Sequence, residues 1–363
     1  MSSILVDPTT AHALSQAMSA PAADPRLAPT PHQHVLQVAT GYMLSSALHV
    51  VVSLQIADLI AAGTTGVVDL ARLAHVKEDG LYRVLRLLAS AGVFTEVAPR
   101  QFGLTPAAEV LRRDRQDSVH DLVNWIADPF HFRVYAEAAA TMESGVPAVE
   151  HATGAPAFEY LARDAAESAI FNDAMTSMSA QVMPAVLAGY DFSDVKVLVD
   201  VAGGHGHVVC SVLEQYPAMR GILFDLDHVI AGAEPRLAAR GLGARCQLAV
   251  GDFFTAVPHG GDAYLLKHIV HDWDDARAIT ILRNIRAALV GVQTGRVIML
   301  ESVIGPGDAP DFGKLVDYEM LMMTGGRERT AEEFRTLLAR AGFELTRIVR
   351  VDAPLSIIEA RPR

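Results

Sequence analysis

The chain has few of the residues that mark disulfide-bonded, zinc-binding or nucleic-acid-binding proteins. Its 363 residues include two cysteines, Cys210 and Cys246, in apolar surroundings and without ligand spacing. We expect buried thiols and a reducing, cytoplasmic location. Neither a C-x-x-C nor an H-E-x-x-H pattern occurs, so no structural zinc and no zincin is expected. The formal net charge of −12 argues against a nucleic-acid partner, which needs a basic face.

Long uncharged apolar runs are also scarce. We find no stretch of the about 20 residues that a membrane helix requires, so no membrane contact is expected. Residues 1–30 are rich in Ala, Pro, Ser and Thr and lack a basic segment followed by an apolar one. This composition indicates a flexible tail and not a signal peptide. What the chain does have is 51% hydrophobic residues, enough for two cores.

Residues 31–115 are predicted to form a helical domain. Val35–Ala62 has apolar residues at helical spacing and is nearly apolar on all sides around Met43–Leu59, which predicts burial in its own core or against a second copy of the chain. We favour homodimerisation. Two amphipathic helices near 68–74 and 78–92 and a small hairpin at 93–105 follow, in the order of a winged helix. DNA binding and a structural, dimerising role both suit that order, and the acidic charge favours the second.

The remainder divides near residue 190. Residues 116–190 have helical patterns, with breaks around Gly145–Pro147 and Gly154–Pro156, and are expected to link the domains and cover the substrate. In residues 191–363 strands alternate with helices, which predicts an α/β domain with a Rossmann-like, mostly parallel sheet. The expected strands are Val195–Val201, Gly221–Leu226, Cys246–Val250, Ala263–Ile269, Arg296–Ser302 and Arg347–Glu359, the last as two antiparallel edge strands.

A glycine cluster follows the first of these strands. The apolar run ends in Asp200 and is followed by Gly203, Gly204 and Gly206, which is the order of a strand, a tight turn and a helix start. A dinucleotide-binding turn has a third glycine where this chain has Val209, and no lysine follows in the Walker manner. The turn therefore favours a nucleoside without phosphates and argues against a nicotinamide dehydrogenase.

Acidic residues also follow the second and third strands. Asp225, with Leu226 beside it, is well placed to accept the hydroxyl groups of a ribose. Asp252 follows Gly251 and precedes Phe253, so that an acid could take an exocyclic amine and a ring could cover an adenine. Each acid alone is equally well explained as a helix cap or turn residue. Acids at three successive strand ends favour a shared site.

Together these motifs resemble one enzyme family. The set is Asp200–Gly206, Phe224–Ile230, Gly251–Phe254, Lys267–Trp273 and Gly325–Thr330. It resembles the S-adenosylmethionine-dependent class I O-methyltransferases of the caffeate, hydroxyindole and antibiotic-tailoring type, over nearly the whole chain. The resemblance implies a homodimer, a winged-helix dimerisation domain and the cofactor S-adenosylmethionine, which leaves as S-adenosylhomocysteine.

The resemblance also implies residue roles around the cofactor. Gly204 would line it, Asp225 would bind its ribose, and Asp252 with Phe253 would hold its adenine. Lys267 would lie near its polar groups, and Ser179 belongs to a segment that closes over cofactor and substrate. Ala202 stands where the family has glycine, a change that is tolerated if φ is negative there.

His271 is the candidate catalytic base. It follows the fourth strand, at the carboxyl edge where open α/β sheets keep their sites. A phenol has a pKa of about 10 and an imidazole one of about 6.5, so a histidine can take the phenol proton without a metal. The resemblance implies that Glu301 and Glu328 flank this histidine. His205, His207 and His268, among 14 histidines, have no such support.

Candidates for the substrate wall are apolar or aromatic, apart from one acid that would orient substrate or loop. They are Trp125, Phe171, Met175, Met320, Met323 and Asp272. Ordinary core packing explains most of them equally well. The sequence thus predicts O-methylation of a phenolic small molecule in secondary metabolism. The alternatives are a relative that hydroxylates or decarboxylates an aromatic, polyketide-like substrate and a ligand-sensing DNA binder.

Overall fold

The computed structural model describes residues 29–363. Residues 1–28, on which most of the predicted tail falls, lie outside the described residues. By its internal contacts the described chain forms two compact units. We call residues 29–136 and 161–178 the N-terminal unit, and residues 137–160 and 179–363 the C-terminal unit.

The N-terminal unit begins with helix α1, Pro31–Ser53, whose N-terminus is closed by a capping box between Thr30 and Gln33. The Thr30 hydroxyl accepts the Gln33 N–H, and the Gln33 side chain accepts the Thr30 N–H. Gln55 has a left-handed backbone (φ 54°) and separates α1 from α2, Ile56–Ala61. The prediction of one helix over 35–62 is therefore wrong, because the chain turns at Leu54 and Gln55.

Most of α1 presents apolar side chains to solvent. Val35 is 65% and Val38 71% exposed, and burial begins at Ala47. The helix has 23 residues, and its 18-residue apolar window has a mean hydropathy of 1.5 with 17% of the window buried. The expectation that no stretch has the length and composition of a membrane helix is wrong for α1. The expectation that this segment is buried needs a partner surface to hold.

The rest of the N-terminal unit follows the predicted winged-helix order. Helix α3 (Val67–Leu73) and helix α4 (Glu78–Ser90) precede an antiparallel hairpin of β1 (Phe94–Ala98) and β2 (Gln101–Leu104). Helix α4 turns Leu81, Leu85 and Leu88 into the core, as its spacing requires.

Seven helices occupy the region between the hairpin and the sheet. Gly145 and Gly154 end two of them with left-handed backbones, at the breaks that the sequence predicts. Residues 165–178 of the last helix belong to the N-terminal unit and the remainder to the C-terminal unit. The helices are α5 (Pro106–Glu109), α6 (His120–Ile126), α7 (Pro129–Ala136), α8 (Ala138–Ser144), α9 (Ala148–Thr153), α10 (Ala157–Arg163) and α11 (Ala165–Gly189).

The C-terminal unit contains a seven-stranded sheet in the order β5-β4-β3-β6-β7-β9-β8. The first five strands of that order are parallel, and β9 runs antiparallel to both of its neighbours, β7 and β8. Strand β9 lies between β7 and β8, so the prediction of two edge strands is right only for β8. The strands are β3 (Val197–Val201), β4 (Arg220–Asp225), β5 (Cys246–Val250), β6 (Ala263–Lys267), β7 (Arg296–Glu301), β8 (Phe343–Arg350) and β9 (Ser356–Pro362).

Helices cover both faces of this sheet, which confirms the predicted Rossmann-like class. In β3, Leu198 enters one apolar core while Val199 and Val201 enter the other, as alternation along a strand requires. The strand order reverses between β3 and β6, and ligands of such sheets bind at that point, outside the carboxyl ends. The helices are α12 (His207–Gln215), α13 (Asp227–Ile230), α14 (Glu234–Ala239), α15 (Asp275–Ala288), α16 (Phe312–Met323) and α17 (Ala331–Ala341).

Candidate functional site

The glycine turn after β3 is crowded on one side, at Gly203, where a side chain would not fit. On the other side, at Gly204, it faces open space. A Cβ on Gly203 would lie 2.4 Å from Leu223 Cδ1 and 2.6 Å from Asp200 Cγ. A Cβ on Gly204, where φ is 57°, would meet nothing within 4 Å. The buried Asp200 accepts the Val209 N–H at 3.1 Å and so ties the strand to the start of α12. The turn is a cradle into which a ligand can come close to the backbone.

Ala202 has a left-handed backbone, with φ at 55°. The condition under which we expected it to be tolerated, a negative φ, is therefore not met. For a residue with a Cβ this conformation costs roughly 1–2 kcal/mol. The Ala202 N–H donates to the Phe224 carbonyl at 2.8 Å, which holds the strained residue in place.

Asp225 ends β4 and faces the glycine turn. Its two carboxylate oxygens accept the N–H groups of Gly204 (2.8 Å) and Leu226 (2.7 Å). Burial raises the pKa of Asp225, and these two N–H groups oppose the rise. Because each carboxylate oxygen has a second lone pair, the side chain keeps the capacity to accept ribose hydroxyls. Leu226 is partly exposed beside it.

The end of β5 provides an open acid and a ring. Asp252 is exposed and accepts the Phe254 N–H at 2.8 Å. It is therefore also a turn residue, which is the alternative role that the sequence allowed for this acid. Phe253 is half-buried, and its ring lies 4.8 Å from that of Phe254, edge to face. Gly251 is required, because a Cβ there would lie 2.7 Å from the Phe224 ring. Donors, acceptors and a ring at three neighbouring strand ends fit a nucleoside.

His271 lies on a short 3₁₀ turn, Val270–Asp272, directly after β6, and is 6% exposed. Its Nδ1 is 2.7 Å from Glu328 Oε1 and 3.7 Å from Glu301 Oε2. When Glu328 is ionised its carboxylate can only accept, so Nδ1–H donates to it and the Nε2 lone pair is free to accept a proton. Asp272 Oδ1 lies 3.7 Å from Nε2, beyond hydrogen-bond distance.

Glu301 holds the turn that carries His271. It is fully buried at the end of β7, and its Oε1 accepts the N–H groups of Ile269 (3.1 Å) and Val270 (2.8 Å). Its Oε2 has no hydrogen-bond partner among the described residues, and the same is true of Glu328 Oε2. Each acid therefore has one engaged oxygen and one open oxygen.

Burial governs the charges of this site. It raises the pKa of Glu301 and of Asp272 to about 7 and that of Glu328 to about 8, where the Asp317 carboxylate adds to the effect. Burial lowers the pKa of Lys267 to about 8, against the opposing effect of Glu301. Burial and the charge of Lys267 also hold the pKa of His268 well below its ordinary range. Perturbed groups concentrated at one strand edge are typical of a functional site.

The glycine loop after α16 presses directly on the His271 turn. A Cβ on Gly326 would lie 1.9 Å from the His271 carbonyl oxygen, which also accepts the Arg327 N–H at 2.8 Å. Arg329 is buried and donates to the carbonyls of Val270 (3.1 Å) and Trp273 (3.0 Å). The sequence alone assigns no role to Gly326 or Arg329. The sequence signal was their place in the Gly325–Thr330 motif, next to Glu328.

The predicted substrate residues fall in both units. In the N-terminal unit Trp125 is buried, and its ring lies 5.3 Å from that of Phe171; Met175 follows on α11. In the C-terminal unit Met320 and Met323 are buried on α16, and Asp272 is buried beside His271. Ser179 is also buried in that unit. The roles of all six substrate candidates stay predictions.

One set of side chains in the described residues has the composition of a metal site. His268, His271, Glu301 and Glu328 each offer a ligand atom, and these atoms all lie within 4.8 Å of one another. Nitrogen and carboxylate donors of this kind suit a divalent transition cation.

Comparisons with known proteins point to one enzyme family. A family model described as "O-methyltransferase domain" matches residues 135–344, and one described as "O-methyltransferase dimerisation domain" matches residues 36–114. The chain is 42% identical to the phenazine O-methyltransferase PhzM of Lysobacter antibioticus, over 90% of this chain and 95% of that protein. It is 32% identical to the phenazine-1-carboxylate N-methyltransferase of Pseudomonas aeruginosa, over 91% of this chain and 97% of that protein. The crystal structure of LaPhzM matches with a TM-score of 0.87 and 40% identity, over 92% of this chain and all of that one.

Proposed function

We propose that this chain, which belongs to the O-methyltransferase family, methylates a hydroxyl group of an aromatic small molecule with His271 as the general base. The chain is an S-adenosylmethionine-dependent methyltransferase that acts on aromatic substrates in secondary metabolism. The proposal that His271 is the general base rests on the 2.7 Å contact between His271 Nδ1 and Glu328. With Glu328 ionised, this contact would favour the tautomer in which Nε2 can accept a proton.

Residues at the strand ends would hold the cofactor. S-adenosylmethionine, when bound, supplies a methyl group made electrophilic by its sulfonium. The Gly203–Gly206 turn would receive the nucleoside, Asp225 its ribose hydroxyls, and Asp252 with Phe253 its adenine. The open space at Gly204 and the spare lone pairs of Asp225 support this assignment. Ser179 and Lys267 complete the proposed cofactor contacts.

The two ring nitrogens of His271 would have different tasks in the reaction. His271 Nε2 takes the proton of the substrate hydroxyl, and the imidazolium that forms is stabilised at Nδ1 by Glu328 in its ionised form, which becomes populated as pH approaches the raised pKa of about 8. Glu301, 3.7 Å from Nδ1, adds negative charge and holds the backbone of the turn. A histidine base of this kind makes a metal unnecessary for the transfer, and we propose that none is required.

The base distinguishes hydroxyl from ring-nitrogen acceptors. A ring nitrogen with a free lone pair has no proton to lose, so its methylation needs no base. A hydroxyl must lose its proton, and a general base contributes about 10²–10⁴ in rate. The buried His271–Glu328 pair therefore favours O-methylation. It also favours methyl transfer over the hydroxylation or decarboxylation that we kept as the alternative.

We also infer that the chain is a cytoplasmic homodimer that pairs through its N-terminal unit. The exposed apolar residues of α1, such as Val35, Leu36 and Val38, need a partner surface, and the match to the dimerisation domain begins at residue 36. Light scattering should give about twice the chain mass of 38.9 kDa. Val38→Asp should lower that value towards the mass of one chain.

The test of the function compares wild type with His271→Ala on a panel of phenols, hydroxyindoles and ring-nitrogen heterocycles. Mass spectrometry should find a product heavier by one CH₂ unit, and the variant should lose about 10²–10⁴ in kcat on a phenol. Calorimetry should show that it still binds S-adenosylhomocysteine. Near-normal turnover of a phenol by the variant would exclude the base role. Product at a ring nitrogen only, equally from both proteins, would replace O-methylation by N-methylation.

A further inference from the structure

We propose that His268, His271, Glu301 and Glu328 form an inhibitory binding site for a divalent transition cation such as Zn²⁺. The four ligand atoms lie within 4.8 Å of one another, and three of the four residues are buried. Nothing in the proposed methyl transfer uses His268. The cluster is therefore larger than the general base requires.

The distances suit a cation that draws the side chains together. Zn²⁺ bonds of about 2.0–2.2 Å place tetrahedral ligand atoms roughly 3.4 Å apart. Two of the contacts to His271 are already near that spacing, at 2.7 Å for Glu328 and 3.7 Å for Glu301. Because backbone N–H groups hold Glu301, closing the widest gap, of at most 4.8 Å, requires movement of His268 and Glu328.

Two buried carboxylate oxygens are available as metal ligands. Glu301 is fully buried and Glu328 is 2% exposed, yet Oε2 of each has no hydrogen-bond partner among residues 29–363. Buried polar atoms without partners are costly, and native proteins usually satisfy them. A dication would satisfy both oxygens and would favour the ionised form of both carboxyl groups. The positive charge of Lys267, which interacts with Glu301, opposes the cation, while Asp200 and Asp272 interact with Lys267 and offset it.

The ligands are also held from outside, as in established metal sites. Glu301 Oε1 accepts the N–H groups of Ile269 and Val270, which fixes the carboxylate and leaves Oε2 turned to His271. The Glu328 N–H donates to Asp317 at 2.8 Å. Such outer contacts orient ligands and strengthen binding.

His268 is the residue that separates a metal site from a general base. Its ring centroid lies 4.9 Å from that of His271. Its backbone is left-handed, with φ at 52°, a conformation that costs roughly 1–2 kcal/mol in a residue with a Cβ. The local fold therefore holds this imidazole beside His271 against a backbone preference.

Occupation of the site would stop catalysis, a step that rests on the proposed function. A neutral imidazole has one lone pair, since its other nitrogen carries the proton. Whichever nitrogen of His271 binds the cation, the remaining nitrogen is an N–H and cannot accept the substrate proton. The cation would thus inhibit by removing the base, and binding itself does not depend on the reaction.

The experiment uses untagged, full-length protein with ZnCl₂ and, for comparison, MgCl₂. Calorimetry of wild type, His268→Asn and Glu301→Gln should give one Zn²⁺ per wild-type chain and at least about tenfold weaker binding in both variants. Asparagine suits position 268 because it tolerates a left-handed backbone. Mg²⁺ should not bind, because it prefers oxygen ligands. Zn²⁺ should abolish wild-type turnover, and His268→Asn should keep its basal rate and resist the inhibition.

Each result decides one part of the proposal. Equal Zn²⁺ affinity in wild type and His268→Asn, with circular dichroism showing both folded, would overturn the site; if His268→Asn does not fold, the same result for Glu301→Gln would do so. Zn²⁺ binding that depends on His268 and Glu301 but leaves turnover unchanged would establish the site and contradict the base role of His271. Loss of both binding and inhibition in His268→Asn would support both.

Discussion

Residues 29–363 contain two buried histidine–carboxylate pairs, one in each unit. In the C-terminal unit His271 Nδ1 lies 2.7 Å from Glu328, and in the N-terminal unit His131 Nδ1 lies 2.9 Å from Asp128. Distance and burial hardly separate them. The N-terminal pair is local, because Asp128 Oδ1 also accepts the His131 N–H three residues ahead and so caps the first turn of α7. A pair of that kind follows from helix formation alone.

The C-terminal pair has to be built from distant parts of the chain. His271 and Glu328 are 57 residues apart, and the approach of their segments requires Gly326 and the buried Arg329. A third acid, Glu301, comes from another strand and holds the same turn. Several separate segments of the fold hold this one imidazole in place. Their convergence supports a functional role for His271 better than the short distance to Glu328 does.

The sharpest test of this difference changes each acid to its amide. In Glu328→Gln the amide can turn its NH₂ towards Nδ1 and impose the wrong tautomer, so kcat should fall by roughly 10²–10⁴. In the matched variant Asp128→Asn we expect a kcat within a fewfold of wild type. Its free energy of unfolding should fall by about 1 kcal/mol, since a charged acceptor becomes neutral. Turnover assays and denaturant unfolding measure the two effects.

A loss of kcat in Asp128→Asn as large as that in Glu328→Gln would mean that both pairs serve the reaction. Binding of S-adenosylhomocysteine by both variants is the control for folding. A normal kcat in Glu328→Gln would leave the tautomer of His271 without consequence.

Glu328 should also make the stability of the folded chain depend on pH. Burial raises the pKa of Glu328 to about 8, so between about pH 5 and pH 8 the folded chain keeps a proton that the unfolded chain has lost. The free energy of unfolding should therefore fall as pH rises through this window. Each pKa unit corresponds to about 1.4 kcal/mol, so the fall should be on the order of a few kcal/mol.

Glu328→Gln should lose less stability over the same window, because glutamine does not titrate. Asp128→Asn retains Glu328 and should keep that part of the fall. Thermal unfolding of the three proteins at pH 5 and pH 8 makes the measurement. A Glu328→Gln variant whose stability falls as steeply as that of wild type would show that Glu328 keeps an ordinary pKa.

Much of the fold could be predicted because its signals are local. The apolar runs of β3 to β7 and the glycines at 145 and 154 act within a few residues, and the structure follows them. The place of β9 between β7 and β8 could not be predicted, because antiparallel order depends on pairing between distant segments. The break after α1 was missed because Gln55 is not a usual residue for a left-handed backbone.

The site was predictable to the same extent. His271, Glu301 and Glu328 come together as the resemblance implied, although their roles stay proposals. Gly326 and Arg329 were not assigned, since their function is an approach between two loops that no periodicity records. The sequence does not distinguish the pair of His131 and Asp128, because a histidine and an acid three residues apart in a helix are common. Residue spacing identifies local pairs, whereas a pair between segments needs the three-dimensional fold.

The smallest expected effect concerns backbone strain, which also differs between the units. In the N-terminal unit the left-handed residues other than glycine, Gln55, His75 and Arg100, lie at helix ends and in a hairpin turn. In the C-terminal unit they are Ala202 and His268, both at strand ends beside the site. Ala202→Gly should relieve the roughly 1–2 kcal/mol cost of a left-handed Cβ and lose part of the gain to the flexibility of glycine.

The net result for Ala202→Gly should be an increase of about 0.5–1 kcal/mol in the free energy of unfolding, measured by denaturant titration at unchanged m-value. The control is Ala287→Gly, on the exposed side of α15, which should be destabilised by about 1 kcal/mol because its backbone is helical. Destabilisation of both variants would show that Ala202 is not strained. Stabilisation of Ala202→Gly together with weaker S-adenosylhomocysteine binding would show that the strained turn is kept for the cofactor, as strain at functional sites usually is.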